Sequence, residues 1–195
     1  TPTGVVLFGG QGSRAMLGIA ERLSDVPLVL MCGHNQALAE RLKAQTTTAP
    51  RVVVGYTTEV AQYLRLGEFF IGKPGPGSLS EALHCGLPVI TTRNAWTMPQ
   101  ERYNTEWVRQ QRVGLVLNSF TAVRTAVATL REQLPEFVAQ VRRLDNRALF
   151  ELPEILAGIL RDARHAHAND GEALTRVERA VQAANDARAA EVQMS

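Results

Sequence analysis

Several features that would assign a protein quickly are scarce in this chain. Two cysteines, Cys32 and Cys85, occur in 195 residues. Each lies in or beside an apolar run, so reduced core thiols are expected rather than a disulfide, with a cytoplasmic setting as the corollary. No apolar run approaches the roughly 20 residues that span a bilayer. No leader-like stretch precedes the first strand-sized segment, which follows Thr1 almost at once; this abrupt start leads to the expectation of a preceding domain, on the same polypeptide or another. Charge of neither sign accumulates: a formal net charge of +2 is too weak a field to argue for nucleic acid, whose phosphate backbone needs a concentrated basic surface. The remaining composition, 45% hydrophobic and 21% charged, belongs to ordinary globular domains, and the length suits one domain with its own core.

Short apolar runs bounded by turn residues recur at Val5–Phe8, Leu28–Met31, Val52–Val54, Phe69–Ile71, Val89–Thr91 and Leu115–Leu117, and these are expected strands. Helical spacing lies between them: Met16, Ile19, Ala20 and Leu23; Leu38 and Leu42; Val60, Ala61 and Leu64; Leu79, Ala82 and Leu83. Strands that are apolar on both faces and alternate with helices predict an α/β fold, a Rossmann-like doubly wound parallel sheet of about six strands. After Asn118 the strand signals stop. Residues 120–160 are expected to form two or three helices against the sheet, with Pro135 and Pro153 at helix starts. The expected domain covers residues 1–165. Residues 166–195, with Leu174, Val177, Val181 and Ala184 at a/d-like spacing, form a helical or frayed tail.

In an open parallel sheet, ligands bind beyond the carboxyl ends of the strands. Two glycine-rich stretches sit there. Gly9-Gly10-Gln11-Gly12-Ser13 follows the first strand and precedes a helix, where free N–H groups can hold an anion or where glycine merely eases the turn. It departs from the dinucleotide fingerprint, because the glycine after Gly12 is Gly18, well into the helix. The second stretch, from Gly72 to Ile90, ends a strand in a Pro/Gly loop. There Gly75 and Gly77 offer amides to a diphosphate, and Ser78 is expected to open a helix with Glu81 in its first turn. Ser78 and Glu81 also spell a capping box; alternatively Glu81 grips the hydroxyls of a ribose.

This segment resembles the donor-binding signature of GT-B glycosyltransferases, in the branch that includes monogalactosyldiacylglycerol synthase and the peptidoglycan lipid-intermediate N-acetylglucosamine transferase. The similarity runs from Val5 to Leu117. It takes in the first glycine loop, Cys32-Gly33-His34-Asn35, Val54-Gly55-Tyr56-Thr57, the long signature, and Pro99-Gln100-Glu101 through Asn104. The resemblance implies two Rossmann-like domains, acceptor in the N-terminal one and UDP-sugar mainly in the C-terminal one, which this chain represents. It implies donor-binding roles for Gly10, Gln11, Gly12, Ser13, His34, Tyr56, Thr57, Lys73, Gly75, Gly77, Ser78, Glu81, Gln100, Glu101 and Asn104. Tyr56 and Thr57 would meet the base, or form an ordinary strand-end turn. Gly77 and Ser78 would hold the diphosphate and Glu81 the ribose diol. Gln100 and Glu101 would orient the hexose, or stand as solvated helix-start residues. Lys73 would neutralise charge on departing UDP, or be simply solvated. A lone turn histidine such as His34 is more often structural. Trp96 and Trp107 are expected to pack, Trp96 with Met98 alternatively lining the sugar mouth, and Arg93 and Arg102 to be solvated near it. The loop Asn94–Met98 lacks the family's proline-rich form, which leaves the sugar open.

The activity so implied is hexosyl transfer from a UDP-sugar to a lipid-linked or glycan hydroxyl, with no metal or cofactor required. The general base would lie in the missing acceptor-binding domain or subunit, through which the whole enzyme would meet a membrane surface. Alone, the domain should turn over poorly. A stand-alone donor subunit and a UDP-sugar 2-epimerase are the alternatives. A nicotinamide-dependent domain fits least, because Cys32-Gly33-His34 ends the second strand where an acidic residue would grip a ribose.

Overall fold

The computed structural model describes residues 2–145, 148–166 and 178–183. Six strands, β1 (Gly4–Leu7), β2 (Leu28–Met31), β3 (Arg51–Val54), β4 (Phe69–Gly72), β5 (Val89–Thr92) and β6 (Gly114–Leu117), form one sheet in the order β3-β2-β1-β4-β5-β6. Every pairing is parallel. Each expected strand is present, displaced by at most one residue at an end.

Side chains alternate across a strand, and this alternation divides the apolar residues between two cores. Val6, Leu28, Leu30, Phe69, Ile71 and Ile90 face one side; Val5, Leu7, Val29, Met31, Phe70 and Val89 face the other. The helices α1 (Ala15–Arg22) and α2 (Gln36–Lys43) cover the first side through Met16, Ile19, Leu38 and Leu42. The helices α3 (Val60–Leu64), α4 (Pro76–His84) and α5 (Pro99–Gln111) cover the second through Leu64, Leu79, Ala82 and Val108. Beyond β6, a 3-10 turn at Phe120–Ala122 leads into α6 (Val123–Glu132), which returns to the first side with Val123, Val127 and Leu130. Pro135 stands in the first turn of α7 (Leu134–Arg142), as expected, where its missing N–H is no loss.

The chain divides into two compact units, Thr1–Leu144 and Asp145–Ser195. Within the second, α8 runs Ala148–Ala166 and contains Pro153 in its interior rather than at its start. Pro153 removes one helical hydrogen bond near the first turns, and the helix continues on the stripe Leu152, Ile155, Leu156 and Ile159, each about half exposed. A short helical piece at 178–183 carries Val181; Leu174, Val177 and Ala184 lie outside the described residues. Among those described, no helix is long and apolar enough to cross a membrane.

Both cysteines are free thiols. Cys32 is buried as expected, and burial pushes its thiol up. Cys85, expected to be buried, is only half-buried, because it caps the exposed end of α4.

Gly114 fixes the spacing of β5 and β6, since a methyl group there would collide with the backbone carbonyl of Val89. Neither partner is a flexible side chain that can turn aside. Gly114→Ala is expected to lower stability by roughly 3 kcal/mol, the upper end of the overpacking range, as read by urea denaturation; an unchanged midpoint would refute this account of the edge.

Candidate functional site at the strand tips

The strand order reverses between β1 and β4, because the chain winds outward from β1 to β3 and then restarts on the other side. Their following loops diverge there and leave a crevice. The β1 loop enters it with Gly9 and Gly12 at positive φ, 76° and 61°, conformations that glycine adopts without strain. The amide of Gly12 donates to the Gly9 carbonyl at 3.1 Å, and the Ser13 hydroxyl accepts from the Ala15 amide at 3.2 Å. This closes a tight arch ahead of α1 and leaves Gly10 and Gln11 exposed at its crest.

The β2 loop buttresses the arch. Gly33 lies so close to the Gly10 carbonyl that no side chain fits between them, and the His34 amide donates to that same oxygen at 2.8 Å. Asn35 works in both directions. Its Oδ1 caps α2 by accepting from the Leu38 amide at 3.0 Å, and its Nδ2 donates to the Gln11 carbonyl at 3.2 Å. Beside it, the rings of His34 and Tyr56 stack, centroids 4.0 Å apart and 19° from coplanar. His34, read alone as a structural turn residue, is thereby joined to the β3 loop. Tyr56 is 62% exposed and so presents a flat ring to solvent. Thr57 shapes that loop, its Oγ1 accepting from the Glu59 amide at 3.0 Å.

Across the crevice, α4 begins earlier than its sequence suggests. Gly75 is the extended cap residue, Pro76 is the first helical residue, and Ser78 and Glu81 are the third and sixth. Ser78 therefore does not open the helix, and the capping box with Glu81 does not form. The cause is Pro76, whose fixed φ and absent N–H suit the first helical position. The first hydrogen bond of the helix runs from Leu79 to Gly75, so the amides of Gly77 and Ser78 precede the ladder. Gly77 is exposed, whereas Gly75 is buried. Glu81 shares a helix face with Ser78 and is exposed; among the described residues its carboxylate has no hydrogen-bond or ion-pair partner.

The third wall comes from α5. Asn104 Nδ2 donates to the Pro74 carbonyl at 2.8 Å and ties the β4 loop to this helix. Glu101 is not solvated: only 11% of its side chain is exposed, and its Oε1 stands 3.7 Å from Lys73 Nζ. Lys73, in turn, is paired rather than simply solvated. Its stem passes close to both Gly75 and Gly9 and so bridges the two glycine loops. Gln100 is exposed at the helix start, its nearest polar contact being Met98 Sδ at 3.6 Å. Arg93 pairs with Glu106 at 3.4 Å and Arg102 donates to the Thr97 carbonyl, so neither is merely solvated.

Trp107 packs against the core, but Trp96 is 93% exposed and packs on nothing within its unit. The cause is an Asx-type turn: Asn94 Oδ1 accepts from the Trp96 amide and Thr97 Oγ1 from the Asn94 amide, which throws the indole outward.

Gly33, Asn35 and the Lys73–Glu101 pair were not legible as a unit. Apart from the resemblance, Asn35 carried a local signal, an Asn immediately ahead of a helical repeat.

A six-stranded parallel sheet in this order, with glycine loops at the switch point, is a Rossmann-like nucleotide-binding architecture. No family model matches the chain. By sequence it is similar to monogalactosyldiacylglycerol synthase 3 of Arabidopsis thaliana, 27% identical over 176 residues that cover 84% of this chain and 37% of that protein. By structure it is similar to MurG of Acinetobacter baumannii (TM-score 0.59, 17% identity, 73% of this chain and 46% of that one). It is similar also to Os79 from O. sativa in complex with UDP (TM-score 0.54, 13% identity, 73% of this chain and 35% of that one). The chain thus has the fold of a GT-B donor-binding domain, and its curated relatives are monogalactosyldiacylglycerol synthases, of whose length it spans little more than a third.

Removal of the Asn35 side chain takes away both a cap and a strut of the glycine arch. Asn35→Ala is expected to cost about 1–2 kcal/mol by thermal denaturation, while Asn35→Asp, which keeps the cap, should retain most of that stability. Equal losses in the two variants would show that the cap contributes nothing.

Proposed function

We propose that this chain is the donor-binding part of a UDP-sugar-dependent hexosyltransferase of the GT-B class, acting on a lipid-linked or glycan hydroxyl. The observation that carries the proposal concerns two glycines. Gly10 and Gly77 stand on opposite sides of the crevice, have ordinary backbone φ, and have open space where a side chain would begin. Nothing in the fold demands glycine at either position, and Gly77 even weakens the start of a helix. A ligand whose approach needs bare backbone supplies the missing reason, and a diphosphate is the group that amides at helix starts bind.

In this reading the diphosphate meets the Gly77 and Ser78 amides, the Ser78 hydroxyl and Lys73, with Gln11, Gly12 and Ser13 of the arch facing it. These groups stabilise the charge that grows on UDP as the hexose leaves, the amides from fixed positions that need little reorganisation, and without a metal. Glu81 grips the ribose diol, and its lack of a partner among the described residues supports this role. The stacked His34–Tyr56 pair offers a flat face to the base, with Thr57 at its edge. Gln100, Glu101 and Asn104 lie on the sugar side. The general base belongs to an acceptor-binding domain or subunit, consistent with a relative more than twice as long. Any contact of the whole enzyme with a membrane surface from the cytoplasmic side runs through that part.

Calorimetric titration with UDP, and separately with NAD, tests the reading; stabilisation by NAD alone would overturn it. Gly10→Ala and Gly77→Ala should each weaken UDP binding at least tenfold while leaving the melting temperature unchanged or, for Gly77→Ala, raising stability by up to about 1 kcal/mol. Variants that bind UDP normally would return both glycines to chance. Glu81→Ala is expected to lose about 1.5–3 kcal/mol of UDP affinity with no change in unfolding, as for a lost hydrogen bond to a charged group.

A further inference from the structure

The donor site proposed above holds an internal ion pair whose cation an incoming diphosphate would compete for. Lys73 reaches across the switch point, its stem beside Gly9 and Gly75, and its ammonium is 3.7 Å from the Glu101 carboxylate. The two ends of this pair differ in their access to water. The Lys73 side chain is 48% exposed, whereas that of Glu101 is 11% exposed. The Glu101 Oε1 also lies 3.7 Å from the point where a Gly75 side chain would begin, so this carboxylate stands beside the start of α4.

A diphosphate arriving at that helix start competes for the same ammonium. If Lys73 turns to the phosphates, Glu101 becomes a buried carboxylate without a counterion, next to a newly arrived anion. Both consequences are unfavourable: an unpaired buried charge is costly, and like charges repel. A nucleotide that also brings a hexose changes the balance. Its hydroxyls can donate to Glu101 and replace the lost lysine, and its diphosphate, esterified by the sugar, carries less charge than that of free UDP.

We infer that the Lys73–Glu101 pair is a selectivity device that favours the sugar-bearing nucleotide over the spent one, so that UDP is destabilised in the site once the hexose has left. Glu101 is then a positioning residue: it acts on the diphosphate through Lys73, and it reports whether a sugar is present. The device rests on the donor reading given above, and it adds a coupling between two parts of that site. Asn104 supports it, because its hydrogen bond to Pro74 holds the β4 loop, and with it Lys73, against α5.

The test is a double-mutant cycle on the full 195-residue chain, with dissociation constants measured by titration calorimetry for UDP, UDP-glucose, UDP-galactose and UDP-N-acetylglucosamine. Glu101→Gln is expected to tighten UDP by about fivefold or more, in the usual range of site-to-site coupling, and to weaken the best-bound UDP-sugar. This opposite movement is one that a purely structural role would not produce, since lost packing weakens every ligand together. Lys73→Met should weaken UDP, and in the Lys73→Met background Glu101→Gln should tighten it clearly less, because only the direct repulsion then remains. A parallel loss for all four ligands in Glu101→Gln, or a tightening of undiminished size without Lys73, overturns the coupling while leaving the donor site standing. Failure of the wild-type chain to bind any of the four overturns both.

Discussion

Everything in the first unit follows from the pairing of β1 with two parallel neighbours at once. A parallel strand cannot be reached by a hairpin, so each connection must cross the sheet as a helix, and the direction of winding has to reverse where β4 takes its place beside β1. That reversal separates the loops after β1 and β4, so that the two glycine loops face each other across a gap. The cores hold this arrangement without subtlety, by dividing alternate strand residues between the two sides. The loops do not inherit their shape from the cores, however. They are held by a few polar contacts: the Gly10 carbonyl under Gly33 and His34, Asn35 under Gln11, and Asn104 under Pro74.

The fold was largely legible because its signals are local and repeated. Six short apolar runs separated by helical spacing admit few arrangements other than a wound parallel sheet, and the strands fell within a residue of their expected ends. Helix starts were less legible where a proline and a serine competed. At α4 the serine motif suggested a cap, but Pro76 and the extended Gly75 start the helix earlier, and Glu81 moves into the second turn as a result. At α8 the opposite error arose, since Pro153 lies inside a helix whose apolar stripe carries it past the missing bond. The pairing of Lys73 with Glu101 was invisible for another reason. The two residues are distant in sequence, and only the passage of α5 beside the β4 loop brings them together. Trp96 misled because size suggests burial, whereas a three-residue turn built on Asn94 decides where the indole points.

The glycines separate into kinds that a sequence does not distinguish. Gly33 and Gly114 are required by neighbouring backbone, Gly9 and Gly12 by their φ, and Gly10 and Gly77 by neither. The last kind is the informative one, because a residue that the fold does not need and that slightly weakens it points to something outside the fold. The same reasoning applies to Glu81 and Glu101. Glu81 is an exposed carboxylate without a partner among the described residues, whereas Glu101 is buried and already committed to a cation. Two acids in one crevice therefore answer to different parts of an incoming molecule.

The outward throw of Trp96 gives the protein an optical label of its own. Its indole is almost wholly exposed, while Trp107, the other tryptophan, is partly sheltered against the core. Anything that covers this side chain takes the indole out of water, so the colour of its emission reports that contact with no dye attached.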